Sequence, residues 1–361
     1  MALAAKHPID FDLPIDLNAT GPPETKGLRR DDVKLMILDS KSGDTTHDQF
    51  PRLGQYVHPG DLLVMNVSRT LPASFKVKLK RCGKLVAEDV EVRLGQRKSN
   101  SVWRVLLIDV NVQQGDEMIF SPNLKAFIRS SKKDQPLTTI WFSLKGNALY
   151  NELYKLGEPI RYEYIDEKWG LEQYQTVYGT VPGSVEMVSA GRAFTWELLI
   201  RLKKAGVQLA NITLHTGLSY YGSDQWQVGP SDSLEEYEVP SDTIEKIRQT
   251  KQAGGKIIAI GTTVVRALES AVDSEGISVA KRGWTNLHID ENYSLKVVDG
   301  LLTGFHEPKA SHLDMLSAFV SPELIRQAYS EAIRTKYLWH EFGDINLIIA
   351  RDQHERSSFR N

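Results

Sequence analysis

The apolar residues of the first 144 positions fall in short runs separated by polar breaks, with no helical stripe. Val33–Asp39 is one such run, closed by the turn Ser42-Gly43-Asp44. A second turn, His58-Pro59-Gly60-Asp61, leads into Leu62–Asn66. Phe75–Leu79, Val90–Leu94, Val102–Ile108, Glu117–Phe120 and Leu137–Leu144 follow at strand-like lengths, which predicts a small sandwich or barrel.

Near Asn147 the pattern changes to alternating strands and helices. Thr195 is placed to cap a helix running to Lys204, with Leu198, Leu199 and Leu202 inward and Gly206 as its stop. Strand Val207–His215 follows. Ser241 is expected to cap a helix ending at Gly254-Gly255, ahead of strand Lys256–Ile260. Gly261-Thr262-Thr263 opens helix Val264–Val272. Strand Leu295–Val298, helices from Ser311 to Trp339 and strand Ile345–Ile349 complete the series. Alternation of this kind predicts an α/β, barrel-like main domain from residues 1–73 and 147–361, carrying an inserted all-β barrel at 74–146. Residues 351–361 read as a polar tail, and no internal repeat is visible.

Composition narrows the classes. The chain has 361 residues, 41% hydrophobic and 25% charged, which excludes collagen, coiled coil and general disorder. A formal charge of -2 argues against a coat for nucleic acid but permits a local basic patch. A single cysteine, Cys82, excludes an internal disulfide and any multi-cysteine metal site, and no metal is expected. The residues before Pro8 lack the apolar core of a signal peptide, and no run approaches a membrane span. The expectation is a cytoplasmic protein without membrane contact, monomeric by preference.

Three strand-to-helix junctions carry chemistry. Gly261-Thr262-Thr263 with Arg266 one turn in offers backbone N–H groups, hydroxyls and the positive end of a helix to an anionic ligand. Equally, the threonines only cap the helix and Arg266 pairs with an acid. His215 ends an apolar strand, and Thr303-Gly304-Phe305-His306-Glu307-Pro308-Lys309 follows another, so that His306 and Lys309 offer a proton carrier and a cation. Each histidine alone is as well read as structural. Lys76, Lys78 and Lys80 share one face of a strand, either a solvated edge or a contact for RNA phosphates. Ala253-Gly254-Gly255-Lys256 reads as a helix stop, and Cys82 as inert.

From Asp10-Phe11-Asp12-Leu13-Pro14 to Phe342-Gly343-Asp344 the chain resembles the S-adenosylmethionine:tRNA ribosyltransferase-isomerase family of queuosine biosynthesis. The likeness rests on Pro59-Gly60-Asp61-Leu62-Leu63-Val64 with Asn66 and Arg69, Tyr174-Gln175-Thr176-Val177-Tyr178, Gly183-Ser184-Val185, Ala190-Gly191 and Phe194-Thr195. Leu214-His215, Gly261-Thr262-Thr263 with Arg266, and Phe305-His306 with Pro308-Lys309 complete it.

The resemblance implies an α/β barrel with an inserted β-barrel. It also implies transfer of the ribosyl part of S-adenosylmethionine, a consumed substrate, onto 7-aminomethyl-7-deazaguanine at the tRNA wobble position, with adenine and methionine leaving. Under it, His215, His306 and Lys309 are the catalytic candidates. Thr262, Thr263 and Arg266 hold a carboxylate or phosphate, Asn66 and Arg69 fix the base or sugar, and Phe194 and Thr195 line the substrate. The family's usual Ala-Gly-Leu-His-Phe-Thr is here Ala190-Gly191-Arg192-Ala193-Phe194-Thr195, its Asn-Asp-Thr-Arg is Asn66-Val67-Ser68-Arg69, and its Leu-Pro-Lys-Ser-Thr begins at Glu307. These departures keep open an enzyme with another acceptor or another S-adenosylmethionine reaction, or a relative that only binds RNA or nucleotide.

Overall fold

Strands buried on both faces need no polar alternation, and the apolar runs of this chain form a sheet of that kind. The structure, a computed structural model, describes residues 9–132, 135–162, 164–165, 167–221, 234–308 and 310–350. The polar tail at 351–361 and Lys309 therefore lie outside the described residues. The strands are β1 (Lys34–Asp39), β2 (Thr45–Gln49), β3 (Leu62–Asn66), β4 (Ser68–Thr70), β5 (Ser74–Arg81), β6 (Lys84–Arg97), β7 (Val102–Leu107), β8 (Glu117–Ser121), β9 (Leu124–Ser130) and β10 (Leu137–Phe142). Beyond helix α1 (Gly146–Leu156) come β11 (Val181–Ser184), α2 (Trp196–Lys204), β12 (Gln208–Leu214), β13 (Glu235–Val239), α3 (Ser241–Gln252), β14 (Ile257–Ile260) and α4 (Thr262–Ser270). The series ends with β15 (Lys281–Thr285), β16 (Gly300–Gly304), α5 (Ser311–Ser317), α6 (Pro322–Arg334) and β17 (Ile345–Ile349).

The expected α/β body with an inserted β-barrel is what the chain forms. Nine strands make the large sheet in the order β15-β13-β12-β3-β14-β16-β17-β1-β2, so it has two ends, while β10-β7-β6-β5-β8-β9 close into the barrel. Successive residues of each central strand point to opposite cores. Leu62, Val64, Ile257 and Ala259 pack under α3, α4, α5 and α6. Leu63, Met65, Ile258 and Ile260 pack with Leu198, Leu199 and Leu202 of α2. Each of those leucines is worth about 1.5–3 kcal/mol of burial. Thr195 caps α2 as expected, its Oγ1 accepting from Leu198 N–H at 3.1 Å, and Gly206 stops the helix at a φ of +89°. The barrel core draws in Leu149 and Leu153 of α1 with Val185 and Leu218, so the expected boundary at 146/147 falls where α1 packs on the barrel.

Several elements differ from expectation. Leu295–Val298 is not a strand, because the backbone N–H groups of Lys296, Val297 and Val298 donate to the buried Glu269 carboxylate at 3.0–3.1 Å instead of to a neighbouring strand. The strand of this region is β16, pairing β14 and β17. Ser241 is the first residue of α3 rather than its cap, which is Pro240. The stretch from Ser311 to Trp339 holds two helices, broken at Ala318–Ser321 ahead of Pro322.

Candidate active site

Strands β12, β3, β14 and β16 run parallel, so their carboxyl ends line one edge, where α/β folds place ligands. Asn66, Leu214-His215, Gly261-Thr262-Thr263 and Gly304–His306 all lie there. Strand β17 runs antiparallel to β16, with Ile345 beside Gly304, so residues 340–344 reach the same edge. The three junctions singled out in the sequence are thus brought together.

Asn66 is the splice between them. Its Nδ2 donates to Leu214 O at 2.8 Å and Thr263 Oγ1 at 3.2 Å, and its Oδ1 accepts from the N–H groups of Ser68 at 3.0 Å and Leu214 at 3.1 Å. Both donors and both acceptors are spent within the protein, so this side chain shapes the edge rather than reaching a base or sugar. Gly261 turns into α4 with a φ of +94°, which only glycine adopts readily. The turn leaves the N–H groups of Thr262 and Thr263 at the open end of the helix.

His215 is 9% exposed. Its Nδ1 lies 2.8 Å from Ser68 Oγ, which is 2.6 Å from Ser184 Oγ. Gly183 supports the ring so closely that a Cβ there would sit 2.3 Å from Nδ1. Burial, with Arg97 nearby, lowers the histidine to about 4, so the ring is neutral at pH 7. When Nδ1 carries the proton and donates to Ser68, Nε2 presents a lone pair. Arg97 comes from the barrel and pairs with Glu236 at 3.0 Å, and Leu218 N–H donates to Gly95 O at 2.9 Å. The barrel is therefore docked on the His215 loop.

His306 places Nε2 2.9 Å from Thr303 Oγ1 and stacks on His312 at 4.6 Å between centroids. Burial holds it well below the usual imidazole range, with His312 and His340 adding to the effect. Strands β12 and β16 stand three spacings apart in the sheet, about 14 Å. His215 and His306 therefore stand too far apart to share one proton.

The other expected residues divide. Arg266 is committed to Glu235 and donates to Leu287 O at 3.1 Å. Phe194 is fully buried against Phe50, at 5.1 Å between centroids. Thr195 is the α2 cap, and Arg69 is exposed over the Tyr154 ring at 6.0 Å. Lys76 and Lys78 point outward from the barrel but face Glu91 at 3.5 Å and Glu88 at 2.7 Å. Lys80, half-buried, shares that face. Among the departures, Ala193 lies in the apolar core beside Phe194, and Glu307 approaches His340 at 3.3 Å. Arg192 points inward but is held by Glu24 at 3.0 Å and Gln173 at 2.9 Å.

Two acids that carry no signal in the sequence complete the edge. Glu186 accepts from Ser219 N–H at 2.7 Å and Ser219 Oγ at 2.9 Å. Burial raises Glu186 to about 7 and Glu341 to about 8, with the Glu186 charge adding to the rise at Glu341. Around them Tyr164 stacks between Tyr162 at 5.6 Å and His340 at 4.3 Å. His340 has a left-handed φ of +73°, unusual outside glycine and a mark of a constrained site. These residues sit in loops joined only by the fold, so no periodicity points to them.

The buried groups make opposite demands on pH. His215, His312 and His340 fall to about 4 from 6.5, and His306 lies well below its usual value too, so their contribution is complete above pH 6.5 and lost on acidification. Glu186 and Glu341 are raised, so theirs is complete below 4.5 and lost as pH rises toward 8. Above 6.5 the histidines no longer titrate and only the carboxyls act. Stability is expected to peak near pH 6.5, read as the urea midpoint at pH 5, 6.5 and 8. A midpoint climbing steadily from 5 to 8 would contradict this assignment.

The model of the family described as "Queuosine biosynthesis protein" matches residues 7–348. The chain belongs to this family. It is 36% identical over 346 residues to the S-adenosylmethionine:tRNA ribosyltransferase-isomerase of Carboxydothermus hydrogenoformans, covering 94% of this chain and 98% of that one. To the enzyme of the same name from Thermotoga maritima it is 33% identical over 345 residues, with the same coverage. The crystal structure of S-adenosylmethionine tRNA ribosyltransferase from Thermotoga maritima at 2.00 Å superposes with a TM-score of 0.53, at 29% identity, over 95% of this chain and 100% of that chain. Among the described residues, no group of three or more metal-ligating side chains is present, and no helix is long and apolar enough to cross a membrane.

Proposed function

We propose that this chain is an S-adenosylmethionine:tRNA ribosyltransferase-isomerase. It moves the ribosyl part of S-adenosylmethionine onto 7-aminomethyl-7-deazaguanine in the wobble position of a cytoplasmic tRNA, giving epoxyqueuosine-tRNA, adenine and methionine. The observation that carries this reading is the agreement, over nearly the full length of both chains, with relatives bearing that name.

The chemistry asks for a base beside the sulfonium, whose positive charge acidifies the neighbouring carbon, and for a proton delivered to departing adenine. His215, with Nδ1 held by Ser68, is the candidate base. His306, three strand spacings away, is the candidate for the adenine end. The free N–H groups opening α4 receive a carboxylate or phosphate, a task for which Arg266 is less suited because Glu235 already occupies it. Lys309 keeps its candidacy from the sequence alone. The tRNA approaches across the barrel, and phosphates reaching Lys76 or Lys78 must displace Glu91 or Glu88.

Release of free adenine from S-adenosylmethionine is the test, with and without tRNA carrying the aminomethyl base. Adenine formed only with that tRNA is the expected result. Binding of S-adenosylmethionine without adenine release would assign the protein to another acceptor or to binding without catalysis.

A further inference from the structure

Glu341 Oε2 and the hydroxyls of Tyr164 and Tyr174 are buried polar atoms without hydrogen-bond partners among the described residues. Tyr174 is 1% exposed, so no solvent compensates its hydroxyl. The three come from separate segments yet converge, since Tyr164 stacks on His340 at 4.3 Å and Tyr174 packs edge-on against Phe342 at 5.3 Å, the two residues that flank Glu341. Across from Glu341 lies Glu186, whose Oε2 accepts from Tyr162 Oη at 3.4 Å. The walls are the Tyr162, Tyr164 and His340 rings, with Tyr162 and Tyr164 inclined by only 7°. Of the two guanidiniums whose charge reaches Tyr174, Arg161 lies beside Tyr162 in the chain and Arg192 is already paired with Glu24.

Two carboxyls, a stacked aromatic wall and three idle acceptors describe a receptor for a cation. A metal ion would want carboxylates and waters without ring faces, whereas an alkylammonium presents three N–H donors and is attracted to aromatic faces. We propose that Glu341 and Glu186, with Tyr164 and Tyr174, form a subsite for a primary ammonium group of a substrate. The naming of its source rests on the functional reading above. Two ammonium groups are then available, the aminomethyl arm of the acceptor base and the α-amino group of S-adenosylmethionine. Neither carboxyl belongs to the motifs that carry the family resemblance, although Tyr174 does.

The first arm of the test needs no assigned substrate. n-Butylammonium is expected to raise the thermal midpoint of the wild-type protein where n-butanol at equal concentration does not, and Glu341→Gln is expected to remove that difference. The same shift in wild type and Glu341→Gln would overturn the subsite. The second arm compares binding in wild type and Glu341→Gln of S-adenosylmethionine and its deaminated analogue, and of tRNA with 7-aminomethyl- and 7-methyl-7-deazaguanine. One aminated ligand is expected to weaken by about 10- to 100-fold, its amine-free partner by less than threefold. The pair affected identifies the source. Equal losses for aminated and amine-free ligands would again overturn the proposal. Failure of wild type to bind either aminated ligand would count against the functional reading, leaving the first arm to decide the subsite. Glu186→Gln serves as the second variant should Glu341→Gln fail to fold.

Discussion

His215→Gln is expected to lower single-turnover adenine release by roughly 10²- to 10⁴-fold, the usual range for losing a positioned proton-transfer group. Glutamine is chosen because it can still hydrogen-bond Ser68 but cannot take a proton. Binding of S-adenosylmethionine should stay within about threefold, and the thermal midpoint close to wild type. The imidazole is lowered to about 4, so the wild-type ring is neutral throughout the assay range. An acid limb due to this group would therefore lie below pH 5, in contrast to the limb near 6.5 of an ordinary surface histidine. A variant keeping more than a tenth of wild-type release would remove His215 from the chemistry and leave it a packing residue on the β12 edge.

The largest expected loss of stability comes from Asn66→Ala. Alanine strands the N–H of Ser68 and both backbone groups of Leu214, which Asn66 now satisfies in the interior. At about 1–3 kcal/mol for each buried polar group left unpaired, the cost should reach at least about 3 kcal/mol. Urea unfolding should show a lower midpoint with an unchanged slope. Asn66→Asp separates the contributions: it keeps the two accepting contacts and sets a carboxylate oxygen against the Leu214 carbonyl, so its loss should be similar even though its shape is conserved. A cost below about 1 kcal/mol for alanine would mean that the edge relaxes or admits water, and that the splice is dispensable.

A residue is legible in the sequence to the extent that its role is local. The buried strands β1, β3, β14 and β17 are apolar at every position, or nearly so, and announce themselves. The α2 cap and its glycine stop are local chemistry, and so are visible. Strands β13 and β15, with sequences Glu-Glu-Tyr-Glu-Val and Lys-Arg-Gly-Trp-Thr, lie at the exposed end of the sheet, where polar residues are tolerated and the pattern weakens. The false strand at Leu295–Val298 is instructive. Its apolar side chains are buried as a strand's would be, but its N–H groups answer to Glu269, an acid some thirty residues earlier that no local window can weigh. The site follows the same rule. Junction residues next to strands, such as His215 and Thr263, are legible, whereas Glu186 and Glu341 become neighbours only through the fold.

The position of β17 has a consequence for how the protein is made. The strand lies between β16 and β1, and pairs Leu35 with Ile345 in parallel register. On the ribosome, β1 emerges among the first elements, yet its permanent neighbour is among the last. Until then β1 has only the polar hairpin partner β2, while Met36 and Leu38 await the core that α6 and β17 complete. Long-range closure of this kind is slow, and it exposes apolar edges meanwhile. Nascent chains stalled short of residue 345 are thus the natural clients of holding chaperones, and the barrel, whose strands are contiguous from Ser74 to Phe142, is the part able to close while translation continues.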